Sequence, residues 1–209
     1  MNKSLLAIPV ILAAPLHAEP VTIVALGDSL TQGYGLVEAE GFVPQLQAWL
    51  DAAGAEARVV NAGVSGDTTA GGLARVGWAL TPEADAMIVA LGGNDLLRGI
   101  APEVARANMD GILQAAEAAG VEVLLVGMEA PGNYGPDYKA AFDAIYPELA
   151  EQYGTLYLDS FFAGLPSRDP AALGAYLQPD GIHPNGEGVA RIVEGIGPQV
   201  LALIDAVTE

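Results

Sequence analysis

The stretch Val21-Thr22-Ile23-Val24-Ala25-Leu26-Gly27-Asp28-Ser29-Leu30-Thr31-Gln32-Gly33 decides the fold. Its opening run, Val21 to Leu26, is apolar and rich in β-branched residues, with no polar–apolar alternation. That pattern predicts a strand covered on both faces. The run passes directly into a glycine, an acid and a serine, and the first good helical face begins only around Gly41. Runs of the same kind recur at Ala57 to Asn61, Ala86 to Leu91, Val121 to Met128 and Leu156 to Asp159.

Segments of helical spacing lie between these runs. Phe42, Leu46, Trp49 and Leu50 share one face, as do Val104, Met109, Ile112, Leu113 and Ala116. Phe142, Ile145, Leu149 and Ala150 mark another helix, and Val189, Ile192, Val193, Ile196, Val200 and Leu203 the last. Thr68 to Ala79 reads as helical too, although Gly71, Gly72 and Gly77 weaken it. Strand–helix alternation of this kind predicts an α/β fold, a parallel sheet with helices on both faces. Ligands in such sheets bind beyond the carboxyl ends of the strands, so the residues following each strand are the ones to inspect.

The chain has 209 residues and is 52% hydrophobic, which suits one globular domain with a sizeable core. Its glycines and prolines lie singly between apolar runs, with no repeat, linker or low-complexity tract. The first residues differ in kind. Lys3 gives a basic start, Leu5 to Leu16 are apolar, and Leu16-His17-Ala18 ends on a small residue. This is the layout of a secretory signal peptide over residues 1–18, cleaved after Ala18, although Leu16 is larger than usual three residues before the cut. Residues 19–209 are then the mature domain, exported to the periplasm or beyond. The apolar stretch falls short of the ~20 residues that span a bilayer, and nothing downstream reads as an integral membrane segment.

Loss of that leader removes His17 and leaves His183 as the mature chain's sole histidine. The formal net charge of −18 argues against nucleic acid or an anionic membrane as partner, since phosphate binding needs clustered Lys and Arg. With no cysteine, disulfides, thiolate catalysis and iron–sulfur clusters are excluded. One histidine and no cysteine also argue against a typical zinc site. The expectation is neither metal nor organic cofactor.

The strand ends carry the polar residues. Ser29 stands where its hydroxyl would point into the cleft, with its amide free at the start of a turn. On that loop alone three readings stand level: a helix cap, a phosphate cradle and a nucleophile. The loop is neither a Walker loop nor a Gly-x-Ser-x-Gly elbow, since Thr31 occupies the final glycine position. After the second strand, Gly63-Val64-Ser65-Gly66-Asp67-Thr68 offers a glycine amide at Gly66, or simply a turn and an N-cap. After the third, Gly92-Gly93-Asn94-Asp95 places a side-chain amide donor, Asn94, at a strand end. Near the C-terminus, Asp180-Gly181-Ile182-His183 sets a carboxylate three residues before the histidine, a spacing that can fix the imidazole tautomer.

The four fragments explain one another. A serine hydroxyl needs a base, and His183 is the only imidazole. The tetrahedral intermediate needs preorganised donors, which the Ser29 and Gly66 amides and the Asn94 side chain would supply, each worth ~3 kcal/mol of barrier.

Gly27-Asp28-Ser29-Leu30, Gly66, Gly92-Gly93-Asn94-Asp95 and Asp180-x-x-His183 resemble the four motif blocks of the SGNH, or GDSL, hydrolase family. The likeness covers nearly all of the mature chain. The stretches Gly132 to Tyr138 and Ala141 to Pro147 resemble more narrowly the bacterial periplasmic branch of thioesterase I, lysophospholipase L1 and arylesterase type. This resemblance implies a flavodoxin-like three-layer α/β/α sandwich with a five-stranded parallel sheet. It also gives Ser29, Gly66, Asn94 and His183 the family's four named roles, with Asp180 completing a triad.

The expected activity is hydrolysis of short- to medium-chain acyl or aryl esters, extending to thioesters and lysophospholipids, through an acyl-enzyme. Leu96, Leu97 and Ile182 are the candidate groove residues, with the loop Glu129 to Tyr138 beside them and Arg98 as a cation for an anionic head group. Leu96 and Leu97 could equally be plain core. Two rivals remain: a non-catalytic flavin- or phosphate-binding protein, and a carbohydrate O-acetyl esterase, for which exposed aromatics are scarce.

Overall fold

The computed structural model describes residues 19–167 and 172–208; the leader predicted over residues 1–18 lies outside them. Five strands form one sheet: β1 (Val21–Gly27), β2 (Ala57–Gly63), β3 (Ala86–Ala90), β4 (Glu122–Val126) and β5 (Leu156–Leu158). Every pairing is parallel and the strand order is β2-β1-β3-β4-β5. The order reverses between β1 and β3, so the crevice belongs beyond their carboxyl ends. Register pairs Gly27 with Gly63 on one side and with Ala90 on the other, which brings the loops after β1, β2 and β3 together.

Among the described residues, eight α-helices connect or flank the strands: α1 (Ser29–Gln32), α2 (Phe42–Ala52), α3 (Thr69–Ala79), α4 (Gly93–Leu97), α5 (Pro102–Ala119), α6 (Pro136–Asp143), α7 (Ile145–Tyr153) and α8 (Gly186–Thr208). Helices α2 and α8 cover one face of the sheet, while α3, α5, α6 and α7 cover the other. Strand residues divide between the two cores with period two. Ile23, Ala25, Ile88 and Leu124 face Phe42, Leu46, Ile192 and Ile196. Val24, Leu26, Val89 and Leu125 face Met109, Ile112, Phe142 and Leu149. Each large side chain fully buried here contributes about 1.5–3 kcal/mol, and together they hold the strand ends at fixed heights.

The helices depart from the sequence reading in three places. The chain after β1 turns at once into the one-turn α1, ahead of the helical face read from Gly41 onward. Val104 is exposed, and Ala105 takes its place on the buried face of α5. Ala105 lies four residues before Met109, a helical neighbour, whereas Val104 lies five before. The single helix predicted across Phe142 to Ala150 is broken at Ala144. Pro147 has no N–H for the carbonyl of Asp143, so α6 cannot run on.

Candidate active site

Asp28, and not Ser29, caps α1: its Oδ1 accepts the Leu30 N–H at 3.0 Å. Ser29 opens the helix with its hydroxyl unused by the cap and its amide without an intrahelical acceptor. His183 reaches it from the far end of the chain, 154 residues on, with Nε2 2.8 Å from Ser29 Oγ. On the other side of the ring, Nδ1 lies 2.7 Å from Asp180 Oδ2. Oδ1 of Asp180 accepts the N–H groups of Ile182 (2.9 Å) and His183 (3.0 Å). The Ile182 N–H first, then the His183 ring and N–H, hold the Asp180 carboxyl below its ordinary value, at about 2. A carboxylate so held fixes the imidazole orientation and leaves Nε2 facing the serine.

The turn carrying Asp180 and His183 is closed at its base. Leu177 and Pro184 form an antiparallel bridge, and the Gln178 N–H donates to His183 O at 2.7 Å. Asn185 then caps α8 through Gly188 N (2.9 Å) and donates to Ala175 O (2.8 Å), so the loop is fastened to a long helix.

The donor side of the site is built from β2 and β3. Gly66 has φ +83°, a left-handed conformation that favours glycine and turns the loop after β2 toward the cleft. Thr68 caps α3, accepting from Gly71 N, which is the N-cap read in this loop. Asn94, in the first turn of α4, donates its Nδ2 to Asp28 Oδ2 at 3.2 Å. That bond uses one of the two amide N–H groups, leaving the second for a ligand.

Asp95 next to it is fully buried and accepts from the N–H (2.8 Å) and hydroxyl (2.7 Å) of Thr69, tying α4 to the start of α3. Arg75 fastens the strand ends beneath: its guanidinium donates to Ala62 O (2.6 Å), Gly27 O (2.8 Å) and Asp67 Oδ2 (2.6 Å).

Asp28 is only 2% exposed, and burial pushes its carboxyl up to about 6 against the opposing hydrogen bonds from Leu30 and Asn94 and the attraction of His183. It touches both the serine turn and Asn94. The sequence reading passed over it, although an acid before a helix start is an N-cap signal.

The apolar residues divide. Leu96 is 6% exposed and packs in the core between the sheet and α5, so it is corrected from groove residue to core. Its place in the first turns of α4 points it under the sheet end. Leu97, one residue on, is 61% exposed, and Ile182 is about half exposed. The Arg98 guanidinium donates to Gly66 O at 2.7 Å, so it braces the glycine loop instead of standing free for a head group. Tyr134 packs near Gly99, and the Tyr138 hydroxyl donates to Ile100 O (2.8 Å), which joins the loop after β4 to the segment after α4. Among the described residues no group of three or more His, Cys, Asp or Glu is placed to hold a metal ion.

Residues 25–191 match the GDSL-like lipase/acylhydrolase family. The chain belongs to that family. Among relatives of this GDSL chain, Esterase TesA of Pseudomonas aeruginosa is 40% identical over 90% of this chain and 92% of its own. The thioesterase 1/protease 1/lysophospholipase L1 of Escherichia coli K12 is 36% identical, over 88% and 85%. The crystal structure of AlinE4, an SGNH-hydrolase family esterase, superposes with TM-score 0.73 at 41% identity, covering 89% of this chain and 97% of that one. As a GDSL acylhydrolase with this fold, the protein is a serine hydrolase of carboxylic esters.

Proposed function

We propose that this hydrolase acts through an acyl-Ser29 intermediate, with His183 as base and then acid, and Asp180 orienting it. The observation that carries the proposal is the unbroken chain from Asp180 Oδ2 through the imidazole to Ser29 Oγ, at 2.7 and 2.8 Å. Ser29 Oγ attacks the ester carbonyl carbon as its proton passes to Nε2. The negative oxygen of the tetrahedral intermediate is met by the Ser29 and Gly66 amides and the second N–H of Asn94. The bond to the alcohol oxygen then breaks, Nε2 returns the proton to that oxygen, and a water repeats the sequence to release the acid. Nucleophile, base and donors all come from the chain itself.

The substrates proposed are short- to medium-chain acyl and aryl esters. Exposed Leu97 and Tyr134 supply apolar surface at the ends of β3 and β4, and Ile182 supplies it beside His183. The names of the relatives extend the proposal to acyl thioesters and lysophospholipids. Residues 1–18 are proposed as a leader removed on export to the periplasm or the medium, with residues 19–209 as the mature enzyme. Among the described residues no helix is long and apolar enough to cross a membrane.

Labelling with a fluorophosphonate, read by intact mass and peptide mapping, tests the assignment. A single adduct on Ser29 is expected, absent in Ser29→Ala and strongly slowed in His183→Ala. Ester turnover should fall by at least about 10³-fold in His183→Ala and by about 10²–10³-fold in Asn94→Ala. Wild-type turnover retained in either histidine or serine variant rules the assignment out.

A further inference from the structure

Tyr34 has no part in the steps above, yet its backbone is fastened to both halves of the site. Its N–H donates to Ser29 O at 3.1 Å, and its carbonyl accepts from Gln178 Nε2 at 2.8 Å. The same Gln178 amide donates to Pro184 O (2.9 Å), and the Gln178 N–H donates to His183 O (2.7 Å). The tyrosine thus straps the turn of the nucleophile to the loop of the histidine. Gly35, at φ +77°, makes the strap possible, because a side chain there would collide with Gln178 Oε1.

The Tyr34 ring centroid stands 4.7 Å from that of the His183 imidazole, tilted by 41°. That is aromatic-pair distance. The residue is nevertheless 50% exposed, and it borders a small cleft with Ser29, Leu36 and Pro184. Its packing leaves part of the ring uncovered beside the cleft. The ring has imidazole on one side and open surface left over.

The chemistry says what passes there. The alcohol oxygen must come within hydrogen-bond reach of Nε2 to receive its proton, roughly 2.6–3.2 Å. The carbonyl oxygen is directed the other way, to the Gly66 and Asn94 donors. The alcohol portion of the ester therefore leaves past the imidazole, where Tyr34 is the aromatic neighbour. We propose that Tyr34 determines leaving-group specificity, its open surface receiving planar, aromatic alcohol portions and so favouring aryl over alkyl esters of one acid. The inference rests on the assignment of Ser29 and His183 made above. It differs from a groove for the acyl chain, because it concerns only the part of the substrate lost on acylation.

The test compares two butyrates with a common acyl-enzyme, 2-naphthyl butyrate and ethyl butyrate. Each is measured as kcat/KM in wild type, Tyr34→Phe and Tyr34→Ala, with fluorophosphonate labelling of Ser29 in parallel. Tyr34→Ala is expected to lower kcat/KM for the naphthyl ester by about three- to tenfold relative to the ethyl ester, the range of one aromatic pair. Tyr34→Phe is expected to keep the aryl preference. A fall of equal size for both esters, with Ser29 still labelled, overturns the Tyr34 proposal and makes the ring a support for His183. No fall for either ester overturns it as well. An adduct on a residue other than Ser29 in the wild type overturns the underlying site assignment, and the proposal with it.

Discussion

At the scale of single residues, Asp28 places a carboxyl where its charged form is penalised. Two hydrogen bonds and the neighbouring imidazole return part of the lost hydration, but the group still titrates at about 6 against an ordinary 3.8. The folded protein therefore holds a proton that the unfolded chain has released between those values. Stability from this source is complete below the unfolded value and lost as pH rises through about 6. Going from about pH 7 to about pH 4.5, its contribution should grow by about 2 kcal/mol. Asp180 does not compete in that window, because its lowered carboxyl matters only under its ordinary 3.8. Urea unfolding of wild type and Asp28→Asn at both pH values isolates the effect of Asp28 together with its coupling to His183, since groups that do not interact with Asp28 cancel in the difference. The variant should lack the rise; parallel pH profiles would show that Asp28 is not the source. Nothing in the letters Gly27-Asp28-Ser29 separates this acid from an exposed turn residue. Its burial arises only when β3 brings Gly93 and Asn94 against it. The link between Ser29, His183 and Asp180 was legible for the opposite reason: histidine is rare here, with one beyond the proposed leader and a carboxylate three residues before it.

At the scale of elements, the five strands were legible within a few residues. β1, β3 and β4 are runs buried on both faces that leave no period to mistake, whereas the edge strands β2 and β5 are only partly buried and were read from their short apolar runs alone. What the sequence hid depends on spatial neighbours. Helix α3 shows this through its glycines, which look alike in sequence and differ in place. A Cβ at Gly72 would run into Leu91 Cδ1, in a fully buried side chain, and one at Gly71 would lie 2.5 Å from Asp67 Oδ1, in a carboxylate whose Oδ2 accepts from Arg75. A Cβ at Gly77 meets nothing within 4 Å. Gly72 is therefore the point where α3 comes down against the sheet, and Gly77 is merely a weak helix residue. Gly77→Ala should raise unfolding free energy by about 0.5–1 kcal/mol through the unfolded chain. Gly72→Ala should lower it by about 1–3 kcal/mol through overpacking. Chemical denaturation of the two variants side by side decides it. A gain in both would mean that α3 stands off the sheet, and the Gly66 loop at its start would lose its fixed height.

At the scale of the whole molecule, two opposed surfaces share one small protein. The loops beyond all five strands contribute exposed apolar side chains: Tyr34 and Val37 after β1, Val64 after β2, Leu97 after β3, Tyr134 after β4 and Ile182 after β5. Apolar side chains so placed suit an acyl ester. The chain as a whole carries 26 acidic against 8 basic residues. Several of the few cations are already engaged, Arg75 with Asp67, Arg106 with Glu148, Lys139 with Glu129 and Asp143, and Arg191 with Glu194. Carboxylates still outnumber cations 26 to 8, so a net like-charge repulsion is left over, which the folded state concentrates and the unfolded chain relaxes. Salt screens that repulsion, with a Debye length falling from about 30 Å at 0.01 M to about 8 Å at 0.15 M. The exposed ion pairs it weakens at the same time are worth only about 0–1 kcal/mol each. The balance predicts that NaCl stabilises the fold at neutral pH, raising Tm by about 2–4 °C for each kcal/mol of repulsion relieved. The rise should shrink as pH is lowered toward the isoelectric point near 4.1, where little net charge is left to screen. Calorimetric scans across a salt series at neutral pH and again near pH 5 measure both trends. An increment of equal size at the two pH values would tie the effect to general salt exclusion from the surface, and the charge argument would fall.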